Sequence, residues 1–423
     1  MDMAQSIVMC MARGDFAAVE QRLSNRLKPL FPAGAIQATW ELLIQQCGAF
    51  QAVEQTAPVQ TPQGPVQVVT CVFERTRLDL NVTINTAGEM TSLTVTPVGM
   101  IEQQTNVIYE AASYVHPERF HEQEVQVEHG PWVLPGTLSL PEGEGPWSAV
   151  LLVHGSGPQD RDETLPPNKP FRDLAWGLAS QGIAVLRYEK RTRVYAEAMS
   201  RDMETLTVKE EVLDDACAAV AFLRERPEMN EDQVFVLGHS LGGFLAPRIG
   251  QACSQIRGLI ILAGFARPFE DVLLDQMAYV LSLSMPDLAV RQQQLEELKR
   301  QVERVKDPSR LSAARADDLP LGIPAAYWLD LNTYHPEQVA QTLKQPMLFL
   351  LGGSDYQVTQ ADFQIWQDAL RGSDAHFRLY PGLSHTFMPV EGGHKATPAT
   401  YTVAGHVAEE VVDAIGSWIK QHS

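Results

Sequence analysis

A serine lies in this chain where it is able to act as a nucleophile. In "QVFVLGHSLGGFLAP", a short apolar run ends at Gly238-His239-Ser240, and the residues after Gly242 have a helical pattern. A serine at such a strand-to-helix turn adopts a strained backbone, and the flanking glycines relieve the crowding that the turn creates. This G-x-S-x-G pattern occurs once in the chain. It predicts that Ser240 is a nucleophile, with a purely structural turn serine as the alternative.

A serine hydroxyl is a weak nucleophile unless a histidine takes its proton and a carboxylate orients that histidine. His385, in "LYPGLSHTF", follows the last predicted strand, and Asp355, in "LFLLGGSDYQV", follows the strand before it. His376 opens the last strand at the opposite edge, and His394 lies farther along a glycine-rich loop. We therefore predict His385 as the base and Asp355 as the acid. The alternatives are an ordinary loop histidine and a helix-capping aspartate.

The reaction of a serine with a carbonyl group also needs donors for the oxygen that becomes negatively charged. The backbone N–H of Leu241, just after the nucleophile, is the first predicted donor. The second donor is expected from the loop "HGSGPQDRDE", which follows the apolar run "AVLLVHG". Its small residues let the backbone approach a substrate, so we predict the N–H of Ser156, with that of Gly157 as the alternative.

The same loop carries three charged residues, Asp160, Arg161 and Asp162. They are candidates for contact with the substrate. The alternative is that they pair with one another or with Arg187 and hold the loop in place. The sequence leaves both open.

Two patterns predict the elements that position these residues. From about residue 122, continuous apolar runs alternate with amphipathic helices, which is typical of a doubly wound, mostly parallel sheet covered on both faces. The segments "EVQVE" and "GTLSLP" predict an antiparallel hairpin at its start. Residues 266–340 carry no convincing strand and predict a helical cap inserted in the domain 122–423. Residues 1–110 predict a small α+β domain, in which "RLDLNVTI" alternates like a strand with one solvated face.

Composition and charge exclude several classes. The 33 basic and 52 acidic residues give a net charge of −19, which predicts no binding to nucleic acid. No run approaches the roughly 18 apolar residues of a membrane span, and the first residues make a poor signal peptide. The five cysteines are odd in number and widely spaced. They predict reduced core residues in a cytoplasmic protein, with no disulfide framework.

Metal and cofactor motifs are missing from the sequence. His154 and His239 suggest a metal site only weakly, because neither H-E-x-x-H nor a spaced set of Cys and His accompanies them. The phosphate-binding G-x-x-x-x-G-K-[ST] and a G-x-G-x-x-G after a strand are also missing. We therefore expect no metal and no cofactor.

From about Glu122 to its end, the chain resembles the α/β-hydrolases. It is similar in particular to bacterial esterases and lysophospholipase-like hydrolases with the motifs HGSGPxDRDE, GHSxGG and GGxDxQV, which read "HGSGPQDRDE", "GHSLGG" and "GGSDYQV" in this chain. The resemblance implies a serine hydrolase of carboxylic esters with Ser240, Asp355 and His385 as its triad. It extends toward acyl-CoA thioesterases and the prolyl-oligopeptidase branch. The first 110 residues resemble, more weakly, an N-terminal domain of unknown function that precedes some of these esterases.

The sequence thus predicts a carboxylesterase that forms an acyl-enzyme on a small-molecule ester. An acyl-thioesterase or a small-peptide hydrolase on the same triad is the alternative, although a dedicated peptidase of the related branch usually brings a propeller of repeats, which this sequence lacks. A non-catalytic binding protein on a hydrolase fold is the alternative from a different class. A homodimer contact, a pocket wall and a binding module all remain open for residues 1–110.

Overall fold

The structure, a computed structural model, describes residues 2–24, 27–28, 34–61, 64–98, 109–201, 203–285 and 288–423. Contacts within the chain divide it into two compact units. One unit holds Met1–Ile108 and Ala314–Ile323, and the other holds Tyr109–Ala313 and Pro324–Ser423. A short piece of the predicted cap region therefore groups with the N-terminal residues. The domain roles assigned from the sequence stay predictions.

The first unit contains an antiparallel sheet whose strands pair in sequence order. The strands are β1 (Phe50–Thr61), β2 (Gly64–Phe73), β3 (Arg77–Ile84) and β4 (Met90–Pro97). The helices α1 (Met3–Ala12), α2 (Phe16–Glu20) and α3 (Ala35–Cys47) precede them. Helix α3 ends at Gly48, whose φ of 84° is readily adopted only by glycine. The separate α+β domain predicted from the sequence is confirmed.

Strand β3 departs from the predicted solvated face. Its alternating polar residues Asp79 and Asn81 are both buried. The Asp79 carboxylate accepts a hydrogen bond from the Thr70 hydroxyl at 2.6 Å, and the Asn81 amide donates to the Thr96 hydroxyl at 2.9 Å. Polar side chains with such partners can be buried, so alternation alone does not distinguish a solvated face from a hydrogen-bonded one. The prediction of solvent exposure is wrong at these two positions.

The described strands of the second unit form one eight-stranded sheet in the order β12-β11-β10-β9-β7-β8-β6-β5. The strands are β5 (Phe120–His129), β6 (Trp132–Pro141), β7 (Trp147–Val153), β8 (Ala184–Tyr188), β9 (Met229–His239), β10 (Gly258–Leu262), β11 (Met347–Gly352) and β12 (Ala375–Tyr380). The predicted hairpin is present as β5 and β6, and these two strands and the β6–β8 pair are antiparallel. The remaining pairs are parallel.

Helices follow most of the strands of this sheet. They are α4 (Pro170–Ser180), α5 (Arg191–Val194), α6 (Ala196–Arg201), α7 (Asp214–Arg224), α8 (Leu241–Ala252), α9 (Phe269–Ser284), α10 (Leu288–Val305), α11 (Pro308–Leu311), α12 (Ala325–Asn332), α13 (Pro336–Thr342), α14 (Gln360–Ala369) and α15 (Glu409–His422). Helices α9 to α13 lie in sequence between β10 and β11. The residues described there, 263–285 and 288–346, contain no strand, as predicted.

The sheet reverses its winding direction at β7. Strand β8 pairs with β7 on one side and β9 pairs with it on the other. In open sheets of this kind, reactive groups gather at such a switch point, beyond the carboxyl ends of the strands. The loop after β7 and the turn after β9 therefore meet where a site is expected.

A disulfide links Cys217 in α7 to Cys253 at the end of α8, with Cα atoms 5.7 Å apart. This overturns the prediction that all five cysteines are reduced. The two residues are 36 positions apart, and they meet because two helices flanking β9 bring them together. Sequence spacing does not reveal such a meeting. Cys10, Cys47 and Cys71 are unpaired.

None of the helices in the described part of the chain has both the length and the apolar character required to cross a membrane.

Candidate active site

Ser240 lies at the turn between β9 and α8, where the motif predicts it. Its φ of 54° and ψ of −115° form a strained backbone conformation that costs a side chain about 1–3 kcal/mol. A Cβ atom at Gly238 would lie 2.1 Å from the carbonyl oxygen of Gly242, and one at Gly242 would lie 2.4 Å from that of Val153. Glycine is therefore required at position 238 for the turn to fold back this tightly and at position 242 for the turn to pass this closely against β7.

His385 and Asp355 come from the loops after the last two strands and are in contact. The Nδ1 atom of His385 lies 2.6 Å from Oδ2 of Asp355, and both residues are buried. The other carboxylate oxygen accepts hydrogen bonds from the backbone N–H groups of Gln357 and Val358, at 2.7 and 3.1 Å. This arrangement fixes the imidazole with its proton on Nδ1 and leaves Nε2 as the basic nitrogen.

A second acid–histidine pair, which sequence reasoning missed, lies beside the first. Oε2 of Glu163 lies 2.7 Å from Nδ1 of His239, the residue before Ser240. Both atoms are buried, and the contact is an ion pair when His239 is protonated. His239 Nε2 donates to the backbone carbonyl of His385 at 3.0 Å, and the two histidine rings have centroids 4.7 Å apart. His385 is thereby held next to the turn that carries Ser240.

The two members of this pair stabilise each other's charge. Burial disfavours the charged form of His239, but the Glu163 carboxylate outweighs it, and the pKa of His239 is raised above its ordinary value. Burial likewise disfavours ionised Glu163, yet the charge of His239 holds the pKa of Glu163 below its ordinary value. An imidazolium and a carboxylate are the expected states near neutral pH.

His154, at the end of β7, has the opposite protonation behaviour. Burial lowers the pKa of His154 to about 4, so the side chain is neutral near neutral pH. Its ring packs against the rings of Phe171 and Tyr188, with centroid distances of 5.2 Å each. These contacts are those of a core histidine.

The loop after β7 runs past the serine. A Cβ atom at Gly155 would lie 3.2 Å from the Cβ of Ser240, so the predicted donor Ser156 follows a residue whose backbone passes close to Ser240. Gly157, the alternative donor, has a φ of 86°. On the other side, Leu241 is the first residue of α8, where helical N–H groups have no partner within the helix. The predicted donors thus come from the two chain segments that flank Ser240.

The charged residues of this loop form contacts within the protein. Oδ1 of Asp160 accepts from the backbone N–H groups of Asp162 and Thr164, at 3.2 and 2.9 Å. Asp162 pairs with buried Arg187, as one of the two alternatives predicted. Its other partners are Lys169 at 3.0 Å and Arg172 at 2.7 Å.

The third charged residue of the loop, Arg161, pairs with Glu124 at 2.7 Å and with Glu189 at 2.9 Å. These contacts hold the loop in shape.

A possible metal-ligand group lies elsewhere. Among the residues that the structure describes, Asp374, His376 and His422 offer one carboxylate oxygen and two imidazole nitrogens within 4.8 Å of one another. His376 is near the start of β12, at the edge of the sheet opposite the carboxyl ends that carry Ser240 and His385. The group has no part in the chemistry of the serine.

A serine on a strained turn after a central strand, at the switch point of a mostly parallel sheet, defines the α/β-hydrolase class when a His–Asp pair follows on later strands. The predicted fold class is confirmed. Residues 148–391, more than half of the chain, match the family described as serine aminopeptidase, S33. The chain belongs to this hydrolase family. Residues 4–93 match a domain described as a protein of unknown function, DUF3887.

Two relatives and one solved structure are similar to this chain. The chain is 36% identical to esterase EstD of Thermotoga maritima over 406 residues, which are 96% of this chain and 92% of that protein. It is 29% identical to a monoacylglycerol lipase of Mycolicibacterium smegmatis over 159 residues, 36% of this chain and 54% of the lipase. The solved structure of Est1E from Butyrivibrio proteoclasticus matches with a TM-score of 0.46 and 15% identity, covering 71% of this chain and 98% of that one. The resemblance to bacterial esterases is confirmed, and the chain is an enzyme of the hydrolase class.

Proposed function

We propose that this chain is a carboxylesterase that works through Ser240, His385 and Asp355. The observation that carries the proposal is the 2.6 Å contact between His385 and Asp355 beside a serine on a strained turn. A full-length relative that is named an esterase supports carboxylic esters of small molecules as the substrate class.

In the first half of the reaction, the Ser240 Oγ atom attacks the ester carbonyl carbon and its proton passes to His385 Nε2. Asp355 stabilises the imidazolium that forms. The carbonyl oxygen becomes negatively charged and accepts hydrogen bonds from the N–H groups of Leu241 and Ser156, or of Gly157 as the alternative. The bond to the alcohol oxygen then breaks, and His385 gives its proton to the departing alcohol.

The second half repeats these steps with water. A water molecule attacks the carbonyl carbon of the acyl-enzyme while His385 takes one of its protons. The ester bond to Ser240 breaks, Oγ regains the proton, and the carboxylic acid leaves. Atoms and charge balance without a metal or a redox cofactor.

Aromatic residues of the helical region between β10 and β11 suggest where an apolar part of the substrate binds. Tyr327 and Trp328 of α12 are buried and pack in the core. Tyr279 of α9 packs its ring 5.1 Å from that of Tyr356, the residue after Asp355. We propose that an apolar part of the ester lies near Tyr279.

The experiment that tests the proposed function is hydrolysis of p-nitrophenyl esters of increasing acyl length by the wild type and by Ser240→Ala. We expect turnover in the wild type and a loss of at least about 10³-fold in the variant. A fluorophosphonate probe should label the wild type and leave the variant unlabelled. If the folded wild type neither hydrolyses esters nor takes the label, the proposal fails. Turnover of thioesters or peptides alone would favour the alternatives on the same triad.

Location and assembly stay predictions. The Cys217–Cys253 disulfide argues against the expected cytoplasmic location, because disulfides are rare in reducing compartments. The net charge of −19 supports the prediction that nucleic acid is not a partner. A homodimer remains open.

A further inference from the structure

The backbone of Gly155 is held on both sides by buried charged side chains. Its N–H donates to Oε1 of Glu163 at 2.6 Å, and its carbonyl oxygen accepts from Nζ of Lys190 at 2.9 Å. Lys190 is only 2% exposed. Burying an ammonium group is costly unless it is paired and hydrogen-bonded, so Lys190 depends on its polar contacts to stay in this position.

The hydrogen bond to Gly155 fixes the direction of the next N–H group. In a planar trans peptide, the carbonyl group of one residue and the N–H of the next point in opposite directions. A donor fixed on the carbonyl of Gly155 therefore turns the Ser156 N–H the other way. Within the described part of the chain, that N–H donates to no backbone acceptor, and a Cβ atom placed on Gly155 would lie 3.2 Å from the Cβ of Ser240.

Lys190 is in turn linked to the helical region between β10 and β11. Its Nζ atom lies 2.6 Å from Oε1 of Glu211. The other carboxylate oxygen of Glu211 accepts from the hydroxyl of Tyr327, in α12, at 2.7 Å. Lys190, Glu211 and Tyr327 are all buried. A continuous chain of hydrogen bonds and ion pairs thus runs from α12 to the loop beside the nucleophile.

We propose that Lys190 is a positioning residue for the oxyanion hole. It holds the Gly155–Ser156 peptide so that the Ser156 N–H faces the carbonyl oxygen of the substrate, and Glu211 and Tyr327 hold Lys190. The inference rests on the proposed function, because it requires an oxyanion to form at Ser240. Lys190 itself does not touch the substrate.

The direct test compares wild type with Lys190→Met, which keeps most of the side-chain length and removes the donor. Loss of one oxyanion donor reduces turnover by about 10²–10³-fold, so a misdirected donor should reduce kcat by at least about tenfold with little change in KM. Because Lys190→Met leaves Glu211 buried without its partner, the double variant Lys190→Met/Glu211→Gln is measured beside it. Fluorophosphonate titration counts the active sites, so kcat refers to folded enzyme.

A matched pair of inhibitors separates positioning from mere loss of structure. A trifluoromethyl ketone adds the Ser240 oxygen to its carbonyl carbon and places an oxyanion in the hole, whereas the methyl ketone of the same length does so poorly. In the double variant, the binding affinity for the trifluoromethyl ketone should fall by the same factor as kcat. The affinity for the methyl ketone should not change. Tyr327→Phe, which loses only the outer hydrogen bond, should reduce kcat by about twofold to fivefold.

Lys299→Met is the control, because Lys299 pairs with Glu296 on the surface of α10, and it should match wild type in every measurement. If the double variant keeps kcat and trifluoromethyl ketone affinity within about twofold of an active wild type, the role of Lys190 is refuted while the proposed function stands. If the wild type is itself inactive on esters and unlabelled, the proposed function fails and the inference with it.

Discussion

Two buried side chains near Ser240, those of Glu163 and His239, are charged but take no part in the proposed reaction. The buried pair of Glu163 and His239 joins the loop after β7, through the N–H of Gly155, to the carbonyl of His385. It therefore ties together the segments that carry the proposed donor, nucleophile and base. Removing one partner from a buried ion pair leaves the other charge without compensation, which typically costs about 3–5 kcal/mol.

The stability that this pair provides depends on pH in both directions. His239 has a raised pKa, so its contribution is complete below the ordinary value of 6.5 and is lost as the pH rises through the folded value. Glu163 has a lowered pKa, so its contribution is present above 4.5 and is lost as the pH falls through the folded value. The pair stabilises the fold most between those two ordinary values.

We predict that Glu163→Gln lowers the melting temperature more at pH 6 than at pH 9, because the ion pair loses the charge of His239 as the pH rises through the raised pKa of this histidine. Thermal unfolding of wild type and variant at both pH values measures this difference. The control is Glu296→Gln, which removes an exposed carboxylate paired with Lys299 and should change little at either pH. An equal effect of Glu163→Gln at the two pH values would contradict the ion pair.

The sequence predicted the residues that a motif marks and missed those that only tertiary structure brings together. Ser240, Asp355 and His385 follow strands in a recognisable order, and the His385–Asp355 contact lies where that order requires. Glu163 and Lys190 meet Gly155 from segments with no fixed spacing between them, so periodicity carries no signal for them. Of the two, Glu163 is part of a motif quoted above, because it is the last residue of "HGSGPQDRDE".

At the level of helices and strands, prediction worked where apolar runs are continuous. The parallel strands are buried on both faces, which leaves an unmistakable pattern in β7, β9, β10 and β11. Prediction failed where polar residues are buried against polar partners, as on β3, and where two helices meet, as at Cys217 and Cys253. These contacts depend on packing that no local pattern specifies.

The disulfide fastens the helix that begins directly after Ser240. Cys253 follows α8 directly, and its partner lies in α7. A cross-link that closes a loop of 36 residues is expected to stabilise the fold by about 2–4 kcal/mol, mainly by restricting the unfolded chain. We predict that Cys217→Ser/Cys253→Ser lowers the free energy of unfolding by this amount, measured by urea denaturation. Cys10→Ser, at an unpaired cysteine, is the control and should change it by less than about 1 kcal/mol.

Counting thiols tests whether the bond forms in the isolated protein. Denatured protein without reductant should show three thiols, those of Cys10, Cys47 and Cys71, and all five after reduction. Five thiols before reduction would show that the bond is not formed. Trapping the thiols with an alkylating agent at cell lysis would show which state the cell maintains, and three thiols there would count against a cytoplasmic location.

At the scale of the whole molecule, the sheet brings distant segments to one edge. The loops after β7, β9, β11 and β12 supply the predicted donor, nucleophile, acid and base, because parallel strands end on the same side of the sheet. A family match over residues 148–391 spans all four loops. The large helical segment between β10 and β11 lengthens the distance in sequence between Ser240 and Asp355 without separating the strands, which stay paired in adjacent positions.

The net charge of −19 acts on any substrate that approaches this edge. At about 0.01 M salt the screening length is about 30 Å, so the whole molecule repels an anion, whereas near 0.3 M salt the repulsion reaches only several ångströms. We predict that kcat/KM for mono-p-nitrophenyl succinate, an anionic ester, rises severalfold between these salt concentrations. The kcat/KM for p-nitrophenyl acetate, a neutral ester with the same leaving group, should change by less than about twofold. A fall for the succinate ester would show that the arginine and lysine side chains near the loop after β7 dominate the local field, and anionic esters or thioesters would then become the favoured substrates.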